Sequence, residues 1–291
     1  MIKSGKCGPD LTWTYDRKRH HLTIEGFGPM YDYDEEDIRW GGNPIESVSM
    51  PDGMTTIGSY AFSDTSISYM AIPESVDFIG LYAFGGCKLL DMVSMVDSVK
   101  YMGAYAFSEC SALRSIIIPD SIDRIEDGLF HKCSSLKSVI IPNSIMSIGN
   151  CAFTWCSVLK GICIPNDVDF IGKAAFSMCD SLASINIPDL VEYIDEYTFA
   201  CCSSLKSIEL PDSIELIDDY AFYACNSLRN IKLPEHTRII GDYAFYACNS
   251  IRSVDVPCSV EKIGDFAFYN CASLMTMDIP STVIDLGINV F

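Results

Sequence analysis

A phenylalanine recurs every 23 residues through most of the chain, at Phe84, Phe107, Phe130, Phe153, Phe176, Phe199, Phe222, Phe245, Phe268 and Phe291, after a 22-residue step from Phe62. Alanine or another small residue precedes most of these rings, and cysteine follows most of them three positions later. A fixed period in this range is the mark of a solenoid, in which each coil buries its apolar edge only against its neighbours. Fold, core and surface are therefore read column by column.

One coil shows the logic. In Cys202–Phe222, Leu205, Ile208 and Leu210 are apolar and Pro211 ends the run. The Ile208–Glu209–Leu210 alternation predicts a short strand with one face inward. Proline cannot donate a ladder hydrogen bond and belongs at the strand's end. Ile214 and Ile217 face inward again through a second extended segment. Asp218 stands where Gly58, Gly80, Gly103, Gly149, Gly172, Gly241 and Gly264 stand elsewhere. Glycine there predicts a corner needing positive φ. Tyr220, Ala221 and Phe222 read as a single helical turn, with Phe222 plugging the core.

The 291 residues could make two ordinary domains, but a repeat array grows in one direction and need not split. Nearly half of them are hydrophobic, yet no apolar run is long enough to cross a bilayer, so membrane insertion is not expected. Met1 to Gly8 lacks a signal-peptide core. The formal charge of −19 argues against nucleic acid as a partner, because such binding rests on neutralising phosphates.

Nine of the 14 cysteines form a repeat column: Cys87, Cys110, Cys133, Cys156, Cys179, Cys202, Cys225, Cys248 and Cys271. There is no CxxC pair. Stacked coils bring equivalent residues to roughly 4.8 Å, but with side chains pointing the same way, which disfavours a disulfide. A stack of buried, reduced thiols is expected. Cys7, Cys151, Cys163, Cys201 and Cys258 lie off the column and are expected to be the exposed or reactive ones.

The pattern L-x-x-I-x-I-P-x-S-V-x-x-I-G-x-x-A-F-x-x-C is carried by Leu113, Ile116, Ile118, Pro119, Ser121, Ile122, Ile125, Phe130 and Cys133. It resembles the signature of BspA-type leucine-rich repeats over about residues 45–291. Val96 replaces the proline, Glu126 the glycine and Thr65 the first cysteine. Cys7–Thr14 and Leu22–Met30 look like the cap that often precedes such repeats. The resemblance implies a right-handed superhelix with a parallel β-sheet on its concave face, and short extended segments and single helical turns elsewhere. It also implies extracellular or cell-surface placement, since such repeats are common on surface proteins of bacteria and some protists. Binding and adhesion are the usual roles, with no family-wide catalytic residues. The free-thiol column fits a reducing cytosol or an anaerobic exterior equally well.

Residues 1–44 break the period. Trp13 and Tyr15 alternate with polar residues, as do Leu22 and Ile24, across the charged turn Asp16 to His21; this predicts a β-hairpin that caps the first coil of a solenoid of about eleven coils over residues 45–291. The chain stops at Phe291, a ladder position. Either the irregular segment Leu286 to Phe291 closes the final coil, or the end associates with another chain.

Catalytic chemistry is hard to find. His20 and His21 fall in the hairpin turn, and His131 and His236 fall on variable, solvent-facing positions of distant coils. No nucleophile, histidine and acid recur together. The glycines are single and periodic, so they make corners and not a phosphate cradle. The acidic run Asp32, Asp34, Glu35, Glu36 and Asp37 lacks the glycine and final glutamate of an EF-hand loop. It reads as a solvated loop. No cofactor and no metal are expected.

The surface columns are more informative. A basic stripe follows the strand-leading leucine: Arg114, Lys137, Lys160, Lys206, Arg229 and Arg252, interrupted at Ala183. Acids follow the proline at Asp52, Glu74, Asp97, Asp120, Asp189, Asp212 and Glu235, roughly 20 Å of extended chain away. The stripe is either a solvated face or a rail for an acidic partner, whose binding salt would weaken. Of the outward strand positions, one column is small: Ser115, Ser138, Gly161, Ser184, Ser207, Asn230 and Ser253. The other runs Ile117, Ile140, Cys163, Asn186, Glu209, Lys232, Asp255 and Asp278, from apolar to charged. Ile117 and Ile140 are the best candidate contact patch. Tyr223, Tyr246 and Tyr269 form an aromatic patch beside a second column, Tyr197, Tyr220 and Tyr243; both suit structural stacking or contact with protein or glycan.

The reading that results is a non-enzymatic solenoid that binds a protein or a surface glycan. The alternatives are a spacer within a longer surface protein and, more remotely, an enzyme.

Overall fold

The computed structural model describes residues 3–37 and 39–291. The fold is a parallel-strand β-solenoid of about 11 turns with almost no helix. The chain divides into two compact units, Met1–Ser144 and Ile145–Phe291.

The first unit begins with a small sheet. Strand β1 (Lys3–Lys6) pairs antiparallel with β2 (Leu11–Asp16), which pairs antiparallel with β3 (His21–Gly26). The β2–β3 hairpin forms because Leu11, Trp13 and Tyr15 alternate with exposed residues, so one face is buried. A short strand, β4 (Gly28–Pro29), then joins the corner sheet beside Met54–Ile57. The first coil's strand, β5 (Ser47–Ser49), adds to β3 in parallel, from His21↔Ser47 to Thr23↔Ser49. The hairpin thus hands its open edge to the repeats. Trp40 stacks on Phe62 at 5.5 Å, donates its indole N–H to Ala61 O at 2.7 Å and heads the aromatic ladder. Further along this unit, Phe62, Phe84 and Phe107 stack at 5.5 and 5.3 Å with rings within 12° of parallel.

The second unit repeats the same plan. Phe176, Phe199, Phe222, Phe245 and Phe268 stack at 5.0–5.7 Å, and the ladder phenylalanines from Phe153 to Phe268 are buried. Strands one period apart pair in register, as in Tyr193↔Leu216 and Leu216↔Ile239. Where a serine follows Pro-x it ties neighbouring coils together: Ser213 Oγ donates to Val191 O at 2.7 Å and Ser259 Oγ to Thr237 O at 2.7 Å. Asp219, Asp242 and Asp265 each accept from a backbone N–H of the next coil at 2.7–2.8 Å. In the last coil Phe291 is 55% exposed, and Met275, Ile284 and Ile288 are exposed as well.

Two local expectations change. The glycine column does not adopt positive φ. That conformation falls two residues later, at Tyr60, Tyr82, Tyr105, Tyr197, Tyr220 and Tyr243, and again at Asp64, Glu109, Lys132, Ala224 and Ala247. Glycine is needed for closeness: a Cβ on Gly80 would lie 2.4 Å from the backbone N of Ser59 in the preceding coil. The segment before each phenylalanine closes i+3 bonds, such as Ala221 N to Asp218 O at 3.2 Å, but left-handed residues on either side stop it from becoming helix. The only helical element among the described residues is the 3-10 turn Arg39–Gly42.

The cysteine column is buried, and its thiols donate to phenylalanine carbonyls one coil back, for example Cys225 Sγ to Phe199 O at 3.1 Å. Among the off-column cysteines, Cys163 and Cys258 are exposed and Cys151 and Cys201 half-buried. Cys7 is fully buried, contrary to expectation, in a turn pinned by Cys7 N to Leu11 O at 3.1 Å and Tyr31 N to Cys7 O at 2.7 Å; burial pushes its thiol up to about 12.

Candidate functional site

Outward strand residues reach solvent because a strand alternates its side chains while the inward set packs on the phenylalanines. In the first unit Ser115–Ile117 pairs with Ser138–Ile140 in parallel, so Ile117 lies directly beside Ile140. Ile117 is 65% exposed and Ile140 58%. Two coils upstream, Tyr69 pairs with Met92 in the column that is serine at Ser115 and Ser138. Tyr69 and Met92 are 51% and 57% exposed. Four successive coils therefore each present a large apolar side chain on one strand face. Reading the small column from Ser115 onward misses Tyr69 and Met92. Extending the same column upstream would have found them.

Arg114 and Lys137 occupy the same two strand segments as Ile117 and Ile140, are exposed, and follow one another through Lys137 N to Arg114 O at 2.8 Å. In the second unit Lys160, Lys206, Arg229 and Arg252 are exposed as well. None of these six has an ion-pair partner among the described residues. Ion pairs form instead on other columns between successive coils, as in Lys132–Glu109 at 2.8 Å and Arg238–Glu261 at 3.0 Å.

In the second unit Cys163, Asn186, Glu209, Lys232, Asp255 and Asp278 are exposed on the strand face. Asn186 is committed to the sheet: its amide accepts from Ile164 N at 2.9 Å and donates to Ile164 O at 2.7 Å. Tyr223, Tyr246 and Tyr269 stack at 5.1 and 5.8 Å. Tyr197, Tyr220 and Tyr243 form the adjoining stack at 4.6 and 4.8 Å, and Tyr220 meets Tyr223 at 5.7 Å. Each ring thus shows mainly its edge. Burial and neighbouring carboxylates push the Tyr197 and Tyr220 hydroxyls up.

Each histidine has its own setting. His21 sits between the hydroxyls of Ser47 at 2.7 Å and Ser49 at 3.1 Å, while His20 faces Glu46 at 3.4 Å. His236 is exposed, its Nδ1 2.9 Å from Asp212 O. His131 is not the solvent-facing residue expected; it is half-buried, edge-on to Tyr105 at 6.3 Å. In the acidic run, Asp32 accepts from Ser59 N at 2.7 Å, and Asp37 accepts from Asp34 N at 2.8 Å. Among the described residues no cluster of histidine, cysteine or carboxylates could hold a metal, and no helix is long and apolar enough to cross a membrane.

Coils of this register, with a phenylalanine and thiol ladder inside and a parallel strand face outside, define a leucine-rich-repeat protein. The BspA type leucine rich repeat region model matches residues 41–137, 123–229 and 192–291, and the chain belongs to that family. It is similar to a leucine-rich repeat protein from Bacteroides ovatus, with 25% identity and a TM-score of 0.78 over 98% of this chain and 91% of that one. It is also similar to a leucine rich cell surface protein from Faecalibacterium prausnitzii, with 25% identity and a TM-score of 0.56 over 96% and 94% of the two chains. The T. pallidum leucine rich repeat protein shares 26% identity and a TM-score of 0.52 over 78% of this chain and 92% of that one. No curated protein matches.

Proposed function

We propose that the chain is a non-enzymatic binding module of a bacterial cell surface, and that the strand face of its first unit docks a protein partner. The observation that supports this reading is the row Tyr69, Met92, Ile117 and Ile140, each more than half exposed. Monomeric proteins rarely leave so many large apolar side chains contiguous in solvent unless a partner covers them. The strands beneath are paired, Tyr69–Ala71 with Met92–Ser94 and Ser115–Ile117 with Ser138–Ile140, so the side chains are what remains to be recognised. Arg114 and Lys137 at the patch favour a partner with an apolar centre and an acidic rim. Surface placement is supported by the relative described as a cell surface protein.

Capture experiments test this. Partners retained by the wild-type chain should be lost with Ile117→Asp combined with Ile140→Asp, at an unchanged melting temperature. Replacing Arg114 and Lys137 by glutamine should flatten the salt dependence of capture. Partners that bind the double aspartate variant as well as wild type would overturn this assignment of the face.

A further inference from the structure

On the turn side of the first unit, a groove of about 380 Å³ runs along the stacked rings of Tyr60, Tyr82 and Tyr105. The rings lie 5.1 and 4.8 Å apart. The groove exists because Ser63, Gly85 and Ser108 hold the position after the ladder phenylalanine, where Tyr223, Tyr246 and Tyr269 stand in the second unit. There the outer tyrosines pack on the inner ones at 5.6–5.7 Å; here that outer layer is missing and the inner tyrosines face open space. Gly86 and Gly128 are shaped to the same feature. A Cβ on Gly86 would lie 2.2 Å from Asp64 Oδ1, and one on Gly128 would lie 2.1 Å from Tyr105 Cε1.

The lining is polar and acidic. Glu35 comes from outside the repeats, and Asp64 and Glu109 come from the turns. Glu109 is neutralised by Lys132 at 2.8 Å, whose hydrogen bond holds its carboxyl below the usual range. Glu35 and Asp64 have no side-chain hydrogen-bond donor among the described residues. At the far end the Nδ1 of His131 is buried with no hydrogen-bond partner, and burial together with Lys132 pushes this imidazole down, toward its neutral form, so it adds no positive charge to the groove. Both faces of Tyr82 are covered by its neighbours, so this ring offers the groove its edge and its hydroxyl oxygen.

We propose that this groove binds an organic cation, the ammonium or guanidinium head of an alkyl chain, with Glu35 and Asp64 as counter-ions and the hydroxyls of Tyr60 and Tyr82 as acceptors. An anion is disfavoured because carboxylates outnumber the one ammonium three to one. The volume suits a single side chain or a small amine. The groove lies on a different face from the Tyr69–Ile140 row and does not depend on it.

Calorimetric titration of the full chain with N-acetyl-lysine methylamide, N-acetyl-arginine methylamide and spermidine tests this, with glucose and acetate as neutral and anionic probes. Binding of the cations at low salt is expected, weaker in high salt. Glu35→Gln with Asp64→Asn, both exposed and isosteric, should weaken it at least about tenfold with an unchanged melting temperature. The capped amino acids binding better than spermidine would assign the site to a polypeptide's basic side chain, and the reverse to a free polyamine. No heat from any cation, equal affinity in the double variant, or preference for glucose or acetate would overturn the proposal.

Discussion

The Sγ of Cys202 lies 3.2 Å from the carbonyl oxygen of Phe176, one coil earlier. The same contact recurs at 3.1 Å from Cys133 to Phe107 in the first unit and from Cys248 to Phe222 in the second. The thiol adds a bond from the next coil to a carbonyl that already accepts a backbone N–H in its own turn, as Phe176 O does from Cys179 N at 3.2 Å. Burial pushes the Cys202, Cys225 and Cys248 thiols well above their ordinary value.

Alkylation should therefore follow position in the fold, because the thiolate is the nucleophile. With iodoacetamide at pH 8, Cys163 and Cys258 should label first and Cys151 and Cys201 more slowly. The buried column and Cys7 should label only after denaturation. Peptide mass spectrometry reads this directly, and rapid native labelling of Cys202 would contradict the burial of the column.

The same thiols set an alkaline limit. A folded-state pKa raised above the unfolded value means that the folded chain keeps protons which the unfolded chain gives up. The stabilisation is complete below about pH 8.5, the unfolded thiol value, and declines as pH rises. Cys271 is pushed up to about 11 and Cys7 to about 12, so the decline runs from about pH 8.5 to 11 and beyond. Each such thiol contributes a slope of about 1.4 kcal/mol per pH unit. Chemical denaturation between pH 7 and 10 should show stability falling above pH 8.5, and Cys225→Ala should reduce the steepness of that fall.

Phe176 is fully buried between Phe153 at 5.3 Å and Phe199 at 5.7 Å. Phe176→Ala removes a rung in the middle of the stack and should cost about 3–5 kcal/mol. Urea titration measures the loss; a variant as stable as wild type would mean that the ring is not a core rung.

Gly80 tests the close approach of coils. Its φ is ordinary, so alanine is not strained there by conformation, but the added methyl would meet the Ser59 backbone at 2.4 Å. Gly80→Ala should destabilise by about 1–3 kcal/mol. A glycine kept only for positive φ would respond to asparagine better than to alanine, whereas here both should be destabilising.

The ladder from Phe62 to Phe268, the thiol column and the strand register were legible because each repeats the same physical demand once per coil. The exposed pair Ile117 and Ile140 was legible too, as a break in an otherwise polar column. The reason for glycine at Gly80 was not, since positive φ and crowding both call for glycine. Cys7 was misplaced because its burial follows from the non-repeating contacts of its turn with Leu11 and Tyr31 and not from the repeat. The tyrosine groove was hidden for a related reason. Glu35 lies outside the period, and its approach to Tyr82 comes from the stacking of coils on the cap.

The bonds that join coils recur between fixed columns of neighbouring coils, as in Cys225 to Phe199, Ser213 to Val191 and Asp242 to Asp219. Excising Ser203–Cys225 would join Cys202 to Asn226 and restore the reading Cys-x-Ser-Leu on the next line of the repeat. Loss or gain of one 23-residue period therefore keeps the remaining coils in the same repeat register. Reach along the solenoid axis becomes a trait adjustable in steps of one coil, roughly 4.8 Å each, while the faces on the retained coils keep their chemistry.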